Sequence, residues 1–231
     1  MNENLHLKGE KLKVLLNAHR DKFSCVIQPP LSLENTFELH LSDSDNIVSK
    51  IDPNNADLCW QVIKQTLAAG NKVAAIGGYA EKRTAYRINP SLFGEDKDER
   101  CIHLGVDIWM EVGTPIYAPL DAVVHSFADN AGIGNYGPTI ILQHVLEKQP
   151  FFTLYGHLNR QSLIGLYPGK KLKRGESFAA IGSPAENGNW SPHLHYQIIA
   201  DMMDCSGDFI GVSTEADSEF YLTLCPEPVV L

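Results

Sequence analysis

From Ile102 onward the chain runs in short apolar stretches: "VDIWM", "PIYAP", "AVVHSF", "TIILQH", "FFTLYGH", "SFAAIG" and "HLHYQII". Glycine and proline separate them, and no convincing helical pattern lies between. Closely spaced strand and turn signals over about 100 residues predict an all-β sandwich or barrel. The expected fold class is therefore mainly β, with a small mixed α+β region ahead of it.

That leading region has its own periodicities. Leu12, Leu15, Leu16 and His19 stand at helical spacing and predict an amphipathic helix over 9–22. "TFELHLS" alternates Phe37, Leu39 and Leu41 against Glu38 and His40, which predicts a strand. "SDSDN" at 42–46 reads as a solvated turn; it lacks the following Gly and Glu of a calcium loop. "NNADLCWQVIKQTLAAG" predicts a second helix with a stripe of Leu58, Val62, Ile63 and Leu67. Asn54 or Asn55 would cap it, and Gly70 would end it. "KVAAIGGYA" reads as a strand or the entry to a turn. The polar run "NPSLFGEDKDER" holds Pro90 and Gly94 and marks the expected boundary, giving regions 1–90 and 91–231. Residues 1–90 carry no readable chemical motif, and completing the fold is their expected role. A Cys59 thiolate on a metal is conceivable, but Cys59 falls on a helix that packs.

Charge and composition narrow the function. A formal net charge of −9 argues against nucleic acid or an anionic membrane surface as the main partner. No apolar run approaches the roughly 18 residues needed to span a bilayer. The N-terminus lacks a basic start followed by an apolar stretch, so no signal peptide is visible. Five cysteines without CxxC spacing read as reduced thiols. Together these predict a cytoplasmic protein, or an exported one if a leader has been removed.

The histidines carry the chemistry. His6, His19, His40, His125 and His144 have no chemical neighbours in sequence and read as surface or hydrogen-bonded core residues. His193 and His195 sit two apart on a predicted strand, on one face and about 6 to 7 Å apart at the backbone. Both rings can converge on one object, and a zinc ion is such an object. Alone, this spacing is also compatible with two core histidines. In "HLGVDIW", His103 and Asp107 are four apart. Gly105, Val106 and Ile108 argue against a helix there. In a straight strand the pair would be roughly 13 Å apart, so sharing an ion requires a bend near Gly105, with His103 entering from a turn. The plain alternative is a His–Asp hydrogen bond at a strand end. "LYGHLN" puts His157 in a glycine-marked turn after an aromatic strand, where reactive groups project.

The ordered set "HLGVD", "GTPIYAP", "YGHL" and "PHLHYQ", from about His103 to Ile198, resembles the LytM/lysostaphin-type zinc metallopeptidases. Ala122 stands where that family usually has glycine. The resemblance implies one zinc ion per chain with His103, Asp107 and His195 as ligands, and His157 and His193 as the two catalytic histidines. It also implies hydrolysis of a peptide or amide bond in a peptide-like substrate, with zinc-bound water as nucleophile. Two imidazoles and a carboxylate would leave such a site with a charge of about +1. One histidine would take the proton, and the other would stabilise the oxyanion or protonate the leaving amine. Which does which is open. Two other readings compete. A catalytically inactive binding or regulatory module of the same fold is weakened because all five positions are filled. A histidine phosphocarrier would not need the His103–Asp107 pair.

Overall fold

The computed structural model describes residues 3–42, 55–83, 86, 89–94 and 99–228. Its strands are β1 (Thr36–Glu38), β2 (Ala74–Gly77), β3 (Arg100–His103), β4 (Val106–Trp109), β5 (Pro115–Tyr117) and β6 (Ala122–Asn130). They continue with β7 (Gly137–Leu146), β8 (Gln149–Gly156), β9 (Lys171–Leu172), β10 (Ser177–Ala180), β11 (His193–Ile199) and β12 (Val212–Thr214). Helices α1 (Glu3–Ala18), α2 (Ala56–Ala69), α3 (Pro90–Phe93) and α4 (Ser218–Leu224) lie around them. The mainly β fold expected from the sequence is what the chain adopts.

Eight strands form one sheet in the order β1-β2-β4-β11-β8-β7-β6-β9, and β10-β5 and β12-β3 form two small sheets. The long sheet is antiparallel except for the β1–β2 pair. Strands β1 and β2, from the region ahead of the predicted boundary, hydrogen-bond into this same sheet. Residues 43–46 of the expected turn and 95–98 of the boundary run lie outside the described residues.

Period-two alternation gives the two faces of the central strands different tasks. On β4 and β11, Val106, Ile108, Leu194, Tyr196 and Ile198 join the main core. Ile108, Leu194, Tyr196 and Ile198 are fully buried there. Burying each such side chain stabilises the fold by about 1.5–3 kcal/mol. The opposite face carries Asp107, Trp109, His193, His195 and Gln197. Trp109 belongs to a second cluster with Leu39, Ile63, Leu67 and Ala75, which seats α2 on the sheet.

Helix α2 begins where its sequence says it should. The Asn55 side chain accepts from Leu58 N at 3.1 Å, satisfying one of the free amides of the first turn. Its buried row is Ala56, Cys59, Ile63 and Leu67, whereas Leu58 is 42% exposed. The sheet selects the row 59–63–67, and Leu58 lies about 100° round from Cys59. Helix α1 starts earlier than the Leu12–His19 pattern suggests and ends at Ala18, with a 3-10 turn at Arg20–Lys22. Its Leu12 and Leu16 are buried, and it packs beside α4. Helix α4 is too short to show a period in sequence.

Candidate metal centre

Strand pairing lines up most of the site. Strand β11 lies between β4 and β8, with His195 opposite Asp107 on one side and opposite Gly156 on the other. His193 is opposite Trp109. Directly opposed residues have Cβ atoms about 4.5–5.5 Å apart, so Asp107 and His195 meet by register alone. His157 follows the last residue of β8.

His103 arrives differently. It is the last residue of β3, which pairs with β12 in another sheet, and Leu104 and Gly105 carry the chain across to β4. The bend near Gly105 is therefore present, although His103 ends a strand rather than sitting in a turn. A Cβ on Gly105 would stand 2.7 Å from His195 Cε1 and 2.8 Å from Nε2. Glycine is what lets the His195 ring lie against this backbone.

Three side chains converge. His103 Nε2 is 2.9 Å from His195 Nδ1 and 3.4 Å from Asp107 Oδ1, and His195 Nδ1 is 3.2 Å from Asp107 Oδ1. They are the one group of three or more metal-ligating side chains found among the described residues. Tetrahedral bonds of about 2.0–2.1 Å put ligand atoms roughly 3.3–3.4 Å apart, so the observed triangle suits one zinc ion.

The surrounding hydrogen bonds choose the ring nitrogens. His103 Nδ1 donates to Gly78 O at 2.9 Å, which leaves Nε2 with its lone pair toward the centre. His195 is reversed. Its Nε2 faces Gln197 Oε1 at 3.0 Å, and the Gln197 amide nitrogen donates to Ile210 O at 3.1 Å. That fixes Oε1 as the acceptor and Nδ1 of His195 as the free donor atom. Such partners fix tautomer and orientation at metal sites.

His157 and His193 stand beside this triangle, with ring centroids 4.2 Å apart. His157 Nδ1 donates to Asn187 O at 2.8 Å, and His193 Nδ1 to Ser191 O at 2.7 Å, so both carry Nε2 lone pairs. His193 Nε2 is 3.8 Å from Asp107 Oδ1, and its ring stacks on Trp109. His157 has φ +62, a left-handed conformation that non-glycine residues adopt rarely.

All four rings are buried. Burial pushes the His103 pKa down to about 4, holds His157 well below the ordinary value and lowers His193. Neutral imidazole is the form that binds metal and accepts protons. Burial alone would raise the Asp107 carboxyl, but His103 and the Arg83 guanidinium beside it hold it well below the usual range. The donor set thus carries one negative charge against a divalent ion.

All five side chains line a cleft of about 800 Å³, walled in part by Trp109, Trp190, Tyr86 and Phe93. Cys59 and Leu41 reach the same cleft from the N-terminal side. Sequence reasoning missed Gln197, although its place two residues after His195 on an alternating strand was a usable signal. It also missed Arg83, Glu81 and the Gly78 carbonyl, for which local sequence carried no sign.

Residues 101–205 match the model of Peptidase family M23. An uncharacterized metalloprotease of Haemophilus influenzae is 38% identical over 95 residues, covering 41% of this chain and 18% of that protein. Peptidoglycan DD-endopeptidase ShyA of Vibrio cholerae is 33% identical over 97 residues, covering 42% of this chain and 20% of its own. The solved catalytic domain of the antimicrobial peptidase lysostaphin from Staphylococcus simulans aligns at 24% identity and a TM-score of 0.35, covering 52% of this chain and 80% of that one. The segment 101–205 is an M23 peptidase domain, which bears out the LytM/lysostaphin-type resemblance. The chain spans about a fifth of the length of these two curated relatives. No helix among the described residues is long and apolar enough to cross a membrane.

Proposed function

We propose that this chain is a zinc-dependent hydrolase of peptide or amide bonds, with the ion held by His103 Nε2, Asp107 Oδ1 and His195 Nδ1. The observation that carries this reading is the triangle of donor atoms with edges of 2.9, 3.4 and 3.2 Å, each tautomer set by a fixed acceptor. When bound, zinc supplies a Lewis acid and brings the pKa of a coordinated water toward about 7.

The other two histidines handle protons. His157 and His193 are anchored through Nδ1 and offer Nε2, so either can take a proton there and return it to a leaving amine. A proton on His193 Nε2 is stabilised by Asp107 Oδ1 at 3.8 Å. His157 stands beside His193, ring centroids 4.2 Å apart, so the two share these proton-transfer roles. The aromatic cleft walls can bury flat, uncharged peptide units.

The substrate class is a peptide. Relatives similar over 95 to 120 residues are named as an uncharacterized metalloprotease and as peptidoglycan DD-endopeptidases. The test is hydrolysis of a panel of glycyl and D-amino-acid peptides by purified protein. Cleavage abolished by a chelator and restored by stoichiometric zinc supports the reading. Full zinc occupancy with no cleavage of any peptide would favour a metal-binding module without turnover.

A further inference from the structure

The segment Gly77–Arg83 lies wholly outside the matched residues 101–205, yet it runs against two of the three proposed ligands. Gly77 pairs with Asp107 at the end of β2. Ala80 N and Arg83 N donate to the carbonyls of His103 and Cys101, and His103 N donates to Glu81 O. The segment thus follows β3 in antiparallel fashion, bridged again at Lys82 and Ile102. It delivers the Gly78 carbonyl to His103 and the Arg83 side chain to Asp107.

Arg83 is anchored through two of its three guanidinium nitrogens, while Nη2 is buried with no hydrogen-bond partner among the described residues. Nη1 donates to Asp107 Oδ2 at 2.6 Å and faces the Tyr86 hydroxyl at 3.2 Å, while Nε donates to Glu81 Oε2 at 2.6 Å. Glu81 is fixed in turn, because its Oε1 accepts from Leu41 N at 2.6 Å and Ser42 N at 3.0 Å. Arg83, Glu81 and Asp107 are all buried. Gly78 has φ +97, and a Cβ there would overlap Arg83 Nη2. The backbone is shaped around the guanidinium.

A buried carboxylate facing a divalent ion can bind through one oxygen or two. We propose that Arg83, braced by Glu81, is a positioning residue for Asp107: its fork takes Oδ2 and leaves Oδ1 alone for the ion, a role that rests on the metal reading above. Coordination number is then held at four with one exchangeable position, as catalytic zinc sites require. Glu81 offsets the guanidinium charge, so the contribution is geometry more than field. The leading residues are in this way a working part of the site.

The test uses variants that keep the local net charge, so a change in zinc affinity reports the fork and not the field. Arg83→Lys retains the cation but has no planar fork to hold Glu81 and Asp107 together. The double variant Glu81→Gln/Arg83→Gln removes the opposite charges as a pair and remains able to hydrogen-bond. Zinc affinity is measured by chelator competition, and coordination by the visible spectrum of the cobalt(II) form. Lys82→Ala, on the same segment but with its ammonium on exposed Glu215, is the control. Both test variants should bind zinc about 10–100-fold more weakly, with a weaker cobalt spectrum as the second carboxylate oxygen engages. Wild-type affinity and spectrum in either folded variant would overturn the positioning role while leaving the metal reading intact. A wild-type chain that takes up neither zinc nor cobalt would remove both.

Discussion

Gln197 Oε1 lies 3.0 Å from His195 Nε2, two residues along the same face of β11, and so decides which nitrogen of His195 faces Asp107. The amide cannot turn round without breaking its donation to Ile210 O at 3.1 Å and its contact with Cys225 Sγ at 3.3 Å. One amide, held from behind, orders the imidazole in front.

Gln197→Leu should therefore weaken zinc binding by about 10–100-fold, the usual cost of losing an outer partner of a metal-bound histidine. Gln197→Glu keeps an acceptor and should lose less. Chelator competition measures both. Equal affinity in the leucine variant would mean that the β11 backbone alone orients the ring.

His157 should matter for turnover and not for the metal. Because its φ is +62, asparagine, which tolerates the left-handed region, is a better replacement than alanine. His157→Asn should keep full zinc occupancy and lose about 10²–10⁴-fold in kcat. Loss of the metal in this variant would make His157 a ligand, and the assignment of roles would be wrong.

The buried His144 gives a pH prediction away from the site. Its Nε2 meets Thr153 Oγ1 at 2.8 Å and its Nδ1 meets Asp121 O at 3.2 Å. Burial pushes its pKa down to about 4, against the opposing effect of the Asp121 carbonyl. The unfolded chain, titrating near the ordinary value of about 6.5, then binds more protons between those two pH values. Stability is fully present above about 6.5 and falls as pH drops toward 4, by roughly 3 kcal/mol for this group. His144→Gln should flatten the fall of Tm over that interval. An unchanged slope would mean that His144 is protonated in the folded state.

Helix α2 offers a control on stability alone. Asn55→Ala removes the cap at Leu58 N and should cost about 1 kcal/mol in denaturant unfolding. Zinc affinity should not move, since α2 contributes no ligand.

The site was legible in sequence to the extent that its residues repeat at strand spacing or sit in motifs. His193 and His195 share a face because strands alternate, and Gly105 marked the bend that brings His103 to Asp107. The same logic would have reached Gln197, whose side chain continues that face. Arg83 could not be found this way. Its partner Asp107 is 24 positions away, joined to it by the pairing of residues 80–83 with β3, and such pairing has no local signal. Leu58 shows the same limit in the fold: periodicity proposes a stripe, but the sheet beneath decides which row of the helix is buried.

The most direct measurement is zinc content per chain, by elemental analysis of tag-free protein purified without added metal, for the wild type and Asp107→Ala side by side. About one zinc per wild-type chain and almost none in the variant, which loses the only anionic donor, is the predicted result. A wild type that neither carries zinc nor takes it up on titration, or a variant that keeps full occupancy, would contradict the assignment of His103, Asp107 and His195 as the metal centre.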